Sequence, residues 1–197
     1  MQDQKEALRK RARLLEYITI IWNICEGGGA LFAGVLAGSI SLIAFGLSSG
    51  LEVFAGAVVL WEINHKDRSK EKKALMLIGT GYFLLAGYIV WFGIKELINQ
   101  HHSRPSLFGI FLLLATVVVM FTLAFLKKST GKKMSSETVL AEANYSYIDG
   151  SLAAAVVTGL ALNVLFGWWW SDELLALFIA CFAVKEGISN LPCNPFL

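Results

Sequence analysis

Several apolar runs in this chain are long enough to cross a bilayer, and one of them carries an acid near its middle. The stretch GSISLIAFGLSSGLEVFAGAVVLW, Gly38 to Trp61, contains a single charged residue, Glu52. About 18 or more apolar residues in a row suffice for a membrane-crossing helix. Inside the hydrocarbon a helix closes its own backbone hydrogen bonds, which the absence of water demands. Composition extends this reading to the whole chain. Hydrophobic residues make up 56% and charged residues 16%, whereas soluble domains carry about 25% charge, and the mean hydropathy is +0.60.

Six spans are expected, at Leu14–Leu36, Ser39–Trp61, Ala74–Lys95, Ser106–Leu126, Thr138–Phe166 and Leu174–Leu191. The fold class is therefore an all-α integral membrane protein with six transmembrane helices. A basic segment, 1–13, precedes the membrane domain, 14–191, and a short tail, 192–197, follows it. The basic start resembles the n-region of a signal peptide, but the next apolar run is too long and lacks a small-x-small cleavage pattern. It is read as a retained helix. The fifth span is long for a level crossing and is expected to tilt or project.

The basic residues set an orientation. Five precede the first span (Lys5, Arg9, Lys10, Arg11, Arg13) and five lie between the second and third (Lys66, Arg68, Lys70, Lys72, Lys73). Four more lie between the fourth and fifth (Lys127, Lys128, Lys132, Lys133), so that fourteen of the seventeen fall on one side. The positive-inside rule assigns that side, and both termini, to the cytoplasm. Trp61 and the Trp168-Trp169-Trp170 cluster suit the two interfaces, where indole rings anchor. Short basic loops that obey the topology rule need no nucleic-acid partner, and none is expected; the lipid bilayer itself is the partner.

Glu26, Glu52 and Asp149 fall well inside the spans, with no Lys or Arg expected at their depth. A carboxylate near the bilayer centre costs on the order of 3 kcal/mol. Such groups are expected to be protonated or to face a polar cavity and bind a cation. Ser48 and Glu52 are one helical turn apart, as are Tyr145 and Asp149, so each pair shares a face. Asn23 precedes Glu26 by three residues and can face the same cavity. Two carboxylates and two hydroxyls meeting from two helices make an oxygen-rich site, which suits hard cations. Nothing supplies nitrogen or sulfur there, as zinc or softer metals prefer. His65, His101 and His102 are expected in loops, and Cys25, Cys181 and Cys193 have no metal-type spacing. Glu142 is read as a cytoplasmic entrance, Asp172 and Glu173 as its counterparts on the far side or as acids favoured by a helix N-terminus, and Glu16 as a wet boundary residue.

The array resembles the transmembrane domain of the cation diffusion facilitator superfamily, and in particular a short divergent branch without the cytoplasmic C-terminal domain. The residues that carry the resemblance are WNICEGGGALFAG in span 1, GSISLIAFGLSSGLEV in span 2, LAEANYSYIDGSLAAAVVTGLALN in span 5 and GWWWSDELLALFIACFAVKEG around span 6. The resemblance implies export of zinc, manganese or a similar divalent cation in exchange for protons, commonly by a homodimer. It also implies a central site built from two ligands on span 2 and two on span 5, which fall here on Ser48, Glu52, Tyr145 and Asp149. Hydroxyl groups thus stand at two positions where the family places carboxylate or imidazole ligands.

A divalent metal cation efflux transporter, proton-coupled on the family's pattern, is one expectation; its metal ligands would be Glu52, Asp149, Glu26, Ser48, Tyr145 and Asn23. The other is a non-transporting membrane scaffold or regulatory protein on the same fold. No hydrolase, kinase or dinucleotide motif is present, because Gly27–Gly29 lies within a span rather than after a strand. Neither an enzyme nor a resident cofactor is expected. The expected location is multi-pass in a bacterial inner (plasma) membrane.

Overall fold

Arg104 donates its backbone N–H to the carbonyl of Ala37 at 2.8 Å, and this bond between two distant turns reports how the helices are strung. The computed structural model describes residues 2–65, 68–100, 103–104, 106–135 and 137–189. Six helices account for nearly all of them: α1 (Gln2–Ala37), α2 (Ile40–His65), α3 (Arg68–Asn99), α4 (Leu107–Met134), α5 (Glu137–Phe166) and α6 (Trp170–Ser189). The α1–α2, α3–α4 and α5–α6 connections meet at one end of the bundle. Besides the Arg104 bond, the Asn163 amide reaches the Ser103 carbonyl at 3.3 Å and its hydroxyl at 3.1 Å. The N-terminus of α1 and the α4–α5 turn therefore lie at the opposite end.

Each turn has a local cause. Gly38 sits at φ 65° between α1 and α2, a left-handed conformation that costs glycine nothing. The Ser106 hydroxyl caps α4 by accepting from the N–H of Gly109 at 3.1 Å, satisfying one of the orphan donors of the first turn. At its other end Ser135 turns left-handed and donates its N–H to the carbonyls of Gly131 and Lys132.

Helices α1 and α2 form one tight hairpin, α4 and α5 another, and α3 pairs with α6; α1 also packs on α4. Helix α2 packs on α3 and α6, and α5 on α6, while α2 and α5 touch only marginally. The middle of the bundle thus lies between α2 and α5. The side-chain distribution is that of a lipid-facing protein. Trp91, Phe125, Leu84 and Ile98 are all at least 70% exposed, whereas Glu26, Ser49, Thr116 and Asp149 are buried. Four helices hold described segments long and apolar enough to cross a membrane: Glu6–Ala37, Met76–Asn99, Leu107–Met134 and Glu142–Phe166.

The helices occur in the expected order, with shifted ends. Helix α4 runs past the expected limit at Leu126, so Lys127, Lys128, Lys132 and Lys133 ride on a helix rather than a loop. The basic start of the chain is likewise the first part of α1, and Trp170 already belongs to α6. Cys25 and Cys181 are exposed and unpaired. His101, His102, Cys193 and the 192–197 tail lie outside the described residues, as do the side chains of Trp61 and His65.

The α1–α2 contact depends on missing side chains. A Cβ at Gly46 would stand 2.8 Å from the Gly27 carbonyl oxygen and 2.9 Å from the backbone nitrogen of Leu31. Small residues of this kind let helices approach closely in lipid, where packing rather than the hydrophobic effect holds them. Gly46→Ala should lower stability by about 1–3 kcal/mol, the usual range for overpacking, in thermal or denaturant unfolding of the purified protein. Gly28→Ala, where a Cβ meets nothing within 4 Å, should leave it unchanged or slightly raise it.

Candidate functional site

The central acids sit where α1, α2, α4 and α5 come together. Glu26 lies twelve residues before Gly38 and Glu52 fourteen after it, roughly 18 and 21 Å at the rise of an α-helix. The close backbone approach at Gly27 and Gly46 puts their helices face to face. Helix α1 contributes two polar side chains from one surface, Asn23 and Glu26, three residues apart. The Asn23 amide donates to Glu52 Oε2 at 3.2 Å.

Glu26 is fully buried and held from two more helices. The Thr116 hydroxyl on α4 donates to Oε2 at 2.6 Å, and the Ser49 hydroxyl on α2 approaches Oε1 at 3.4 Å. The indole N–H of Trp22, one turn before Glu26, donates to Thr116 Oγ1 at 3.3 Å. An indole can only donate, so the hydroxyl proton of Thr116 is left to point at the carboxyl. The chain Trp22–Thr116–Glu26 therefore has a fixed polarity.

Asp149 is different. It is 1% exposed, and no amide or hydroxyl among the described residues donates to either carboxyl oxygen. Its carboxyl lies beside that of Glu26, near enough for direct interaction, and Glu52 is close enough for its charge to act on both. Two carboxyls buried side by side are costly in a low-dielectric interior unless a proton or another positive charge offsets them. Among the described residues no group of three or more His, Cys, Asp or Glu is arranged to hold a metal ion. The three acids are neighbours here without converging on one point.

The remaining expected donors are placed otherwise. The Ser48 hydroxyl donates to its own helix, at the Phe45 carbonyl, 2.8 Å away; the Ser49 hydroxyl lies 3.1 Å from the same carbonyl and also faces Glu26. Tyr145 is 40% exposed and hydrogen-bonds with Glu186 on α6 instead of turning to Asp149. Glu142 and Glu16 are not free at a boundary: both pair with Lys127, so an ammonium group is buried within the helices after all. Asp172 is occupied as a cap. Its Oδ1 accepts from the hydroxyls of Ser39, at 2.7 Å, and Ser41, and its Oδ2 from the Ile40 N–H at 2.9 Å. The start of α6 thereby closes the start of α2.

Sequence reasoning passed over Thr116, Trp22, Ser49, Tyr82 and Glu186. Thr116 had a signal, as the one hydroxyl in the run IFLLLATVVVM. Tyr82 on α3 is buried within electrostatic reach of Glu52, Glu186, Tyr145 and Asp149, a set that no spacing along the chain reveals.

Comparison with known proteins adds the family. Residues 18–191 match the cation efflux transmembrane domain. The cation-efflux pump FieF of Shewanella oneidensis is 26% identical over 79% of this chain and 56% of its own length. The magnetosome protein MamB of Magnetospira sp. is 24% identical over the same shares, 79% and 56%. An uncharacterised transporter of Methanocaldococcus jannaschii is 21% identical over 85% of this chain and 63% of its own. The chain thus spans little more than half the length of the first of these relatives.

The Thr116 contact gives a direct test of how Glu26 is held. Thr116→Val keeps the shape but removes the donor to Glu26 and the acceptor of Trp22. It should cost about 1–3 kcal/mol of stability, the range for leaving buried polar groups unpaired, as measured by unfolding of the purified protein. Thr122→Val, at an exposed hydroxyl bonded only to its own helix at Val118, should change stability far less.

Proposed function

The chain belongs to the cation efflux family and is an integral, multi-pass membrane protein of the kind found in a bacterial inner membrane; on that premise we propose that it carries a divalent metal cation out of the cytoplasm in exchange for protons. A single observation carries this reading. Asp149 is buried with no amide or hydroxyl donor among the described residues, its carboxyl beside those of two further acids, in the middle of a bundle that belongs in lipid. Intramembrane acids in such a setting mark ion or proton pathways.

The cation sits between α2 and α5 in the transport-competent state. Glu52 and Asp149 supply most of the charge, and Glu26, Asn23, Ser48 and Tyr145 are the further oxygen donors. Since the acids do not converge in the conformation described, the site closes around the ion only when the helices shift. Marginal α2–α5 contact leaves room for that shift. Protonation of the same carboxyls then favours release, because protons and a cation compete for the same oxygens. All-oxygen donors suit manganese or another hard cation, and zinc stands beside it through the family. The six helices all span, with both termini cytoplasmic by the charge rule, and two copies form the working unit.

The second reading is a non-transporting scaffold or regulatory membrane protein. The observation in its favour is that Asn23, Thr116 and Ser49 tie Glu52 and Glu26 into contacts between helices, work that needs no ion.

Flux in proteoliposomes separates the two. The protein should move at least one member of a zinc, manganese, cobalt and iron panel, driven by an imposed pH gradient. Glu52→Ala and Asp149→Ala should each reduce that flux by roughly tenfold or more, as loss of a metal ligand or its support does. No flux across the whole panel favours the scaffold, and flux that survives both substitutions removes the proposed site.

A further inference from the structure

Beyond the central acids the bundle buries a second set of charges. Lys127 on α4 is 2% exposed, and its Nζ lies 2.9 Å from Glu16 Oε2 on α1 and 3.5 Å from Glu142 Oε2 on α5. An ion pair taken out of water gives up hydration on both sides, and removing one partner leaves an uncompensated buried charge. The three side chains therefore hold their helices together as long as all three are present. They lie at the end of the bundle that carries the α4–α5 turn, opposite the Asp172 cap.

Along α4 an apolar layer lies between Lys127 and Thr116, beside the central acids. Leu15, Met120 and Leu123 are buried against one another, with Trp22, Val119 and Leu126 packed around them. Leu123 is one turn from Lys127 on the same face of α4, and Leu15 directly precedes Glu16. From this end inward along α4 the order is Lys127, then Leu126, Leu123 and Met120, then Thr116; along α1, Glu16 is followed by Trp22 and Glu26, with Leu15 on its outer side. The ammonium occupies the space between the two carboxylates.

We propose that Lys127 is a positioning residue, an internal counter-cation that latches α1 to the α4–α5 hairpin and keeps the α1 side of the bundle shut to water. While the latch holds, nothing from this end reaches Glu26 between α1 and α4; when it parts, the apolar layer is exposed first. The latch bears on the cation pathway proposed above and borrows its purpose from that reading, but its closure is measurable without any transport.

The test is thiol accessibility in lipid nanodiscs, where a charged, water-soluble maleimide reaches both ends. Cys25, Cys181 and Cys193 are replaced by serine, and Leu123→Cys in the apolar layer serves as the reporter. The triad is then neutralised isosterically as Lys127→Met with Glu16→Gln and Glu142→Gln, which leaves no buried charge stranded. Labelling should be slow in the intact triad and about tenfold or more faster in the neutral variant, because the local opening is favoured. Lys127→Arg, which keeps the charge, should stay slow. A second reporter, Ile179→Cys in the buried core of α6, should stay slow throughout. Equal Leu123→Cys rates with and without the triad would overturn the latch. So would fast labelling in Lys127→Arg, or equal acceleration at Ile179→Cys, which would mean that the triad merely supports the whole fold.

Discussion

Placing a carboxylate in hydrocarbon is expensive, on the order of 3 kcal/mol even on insertion scales, and no water is at hand to relieve it. Each buried acid here must find donors, a counter-charge, a proton or a cation. The bundle meets this demand in different ways at different levels. Asp172 collects two hydroxyls and a backbone N–H, Glu16 and Glu142 share an ammonium, and Glu26 takes the hydroxyl of Thr116. Asp149 receives no amide or hydroxyl from the described residues. Glu173 Oε2, near the start of α6, likewise lacks a donor, and Asp149 is the central acid on which the proposed cation pathway rests.

The same demand decides how the helices pack. Hydrophobic burial does not drive association in lipid, so close backbone contact and polar ties between helices must. Glycines at the α1–α2 crossing bring Glu26 within reach of Ser49 and Asn23 within reach of Glu52. Asp172 fixes α6 to the start of α2, and Lys127 fixes α1 to α4 and α5. The two ends are thus tied by different helices, while α2 and α5 are left nearly free of each other in between. A pair of elements joined loosely at the middle of a bundle is what a rocking motion about a central site requires.

Membership of the cation efflux family and the side chains at the centre bear on different questions. The family sets the arrangement of helices over residues 18–191. The donors set the chemistry, and here they are carboxylates, an amide and hydroxyls rather than imidazole. In the transport reading proposed above, all-oxygen donors suit hard cations, and selectivity would rest on cavity size and on the charge that Glu26, Glu52 and Asp149 carry together.

The sequence by itself determined the all-helical membrane character, the number and order of the helices, and which acids lie deep. Those properties follow from run length and from the cost of charge in lipid, both of which are local along the chain. Spacing also put Asn23 and Glu26 on one face, as found. It did not single out Ser49, whose hydroxyl lies about 100° further around the helix than that of Ser48, because only the neighbouring helix says which direction meets Glu26. It took Lys127 for a loop residue and Glu16 for a wet one, because the apolar run stops at Leu126 while the helix does not. The tertiary structure alone decided that Lys127 meets two acids, that Thr116 serves Glu26, and that Asp172 caps a helix some 130 residues away in the chain. Each of these is a contact between elements distant in sequence, and the pattern within one helix holds no information about which face of another it will meet.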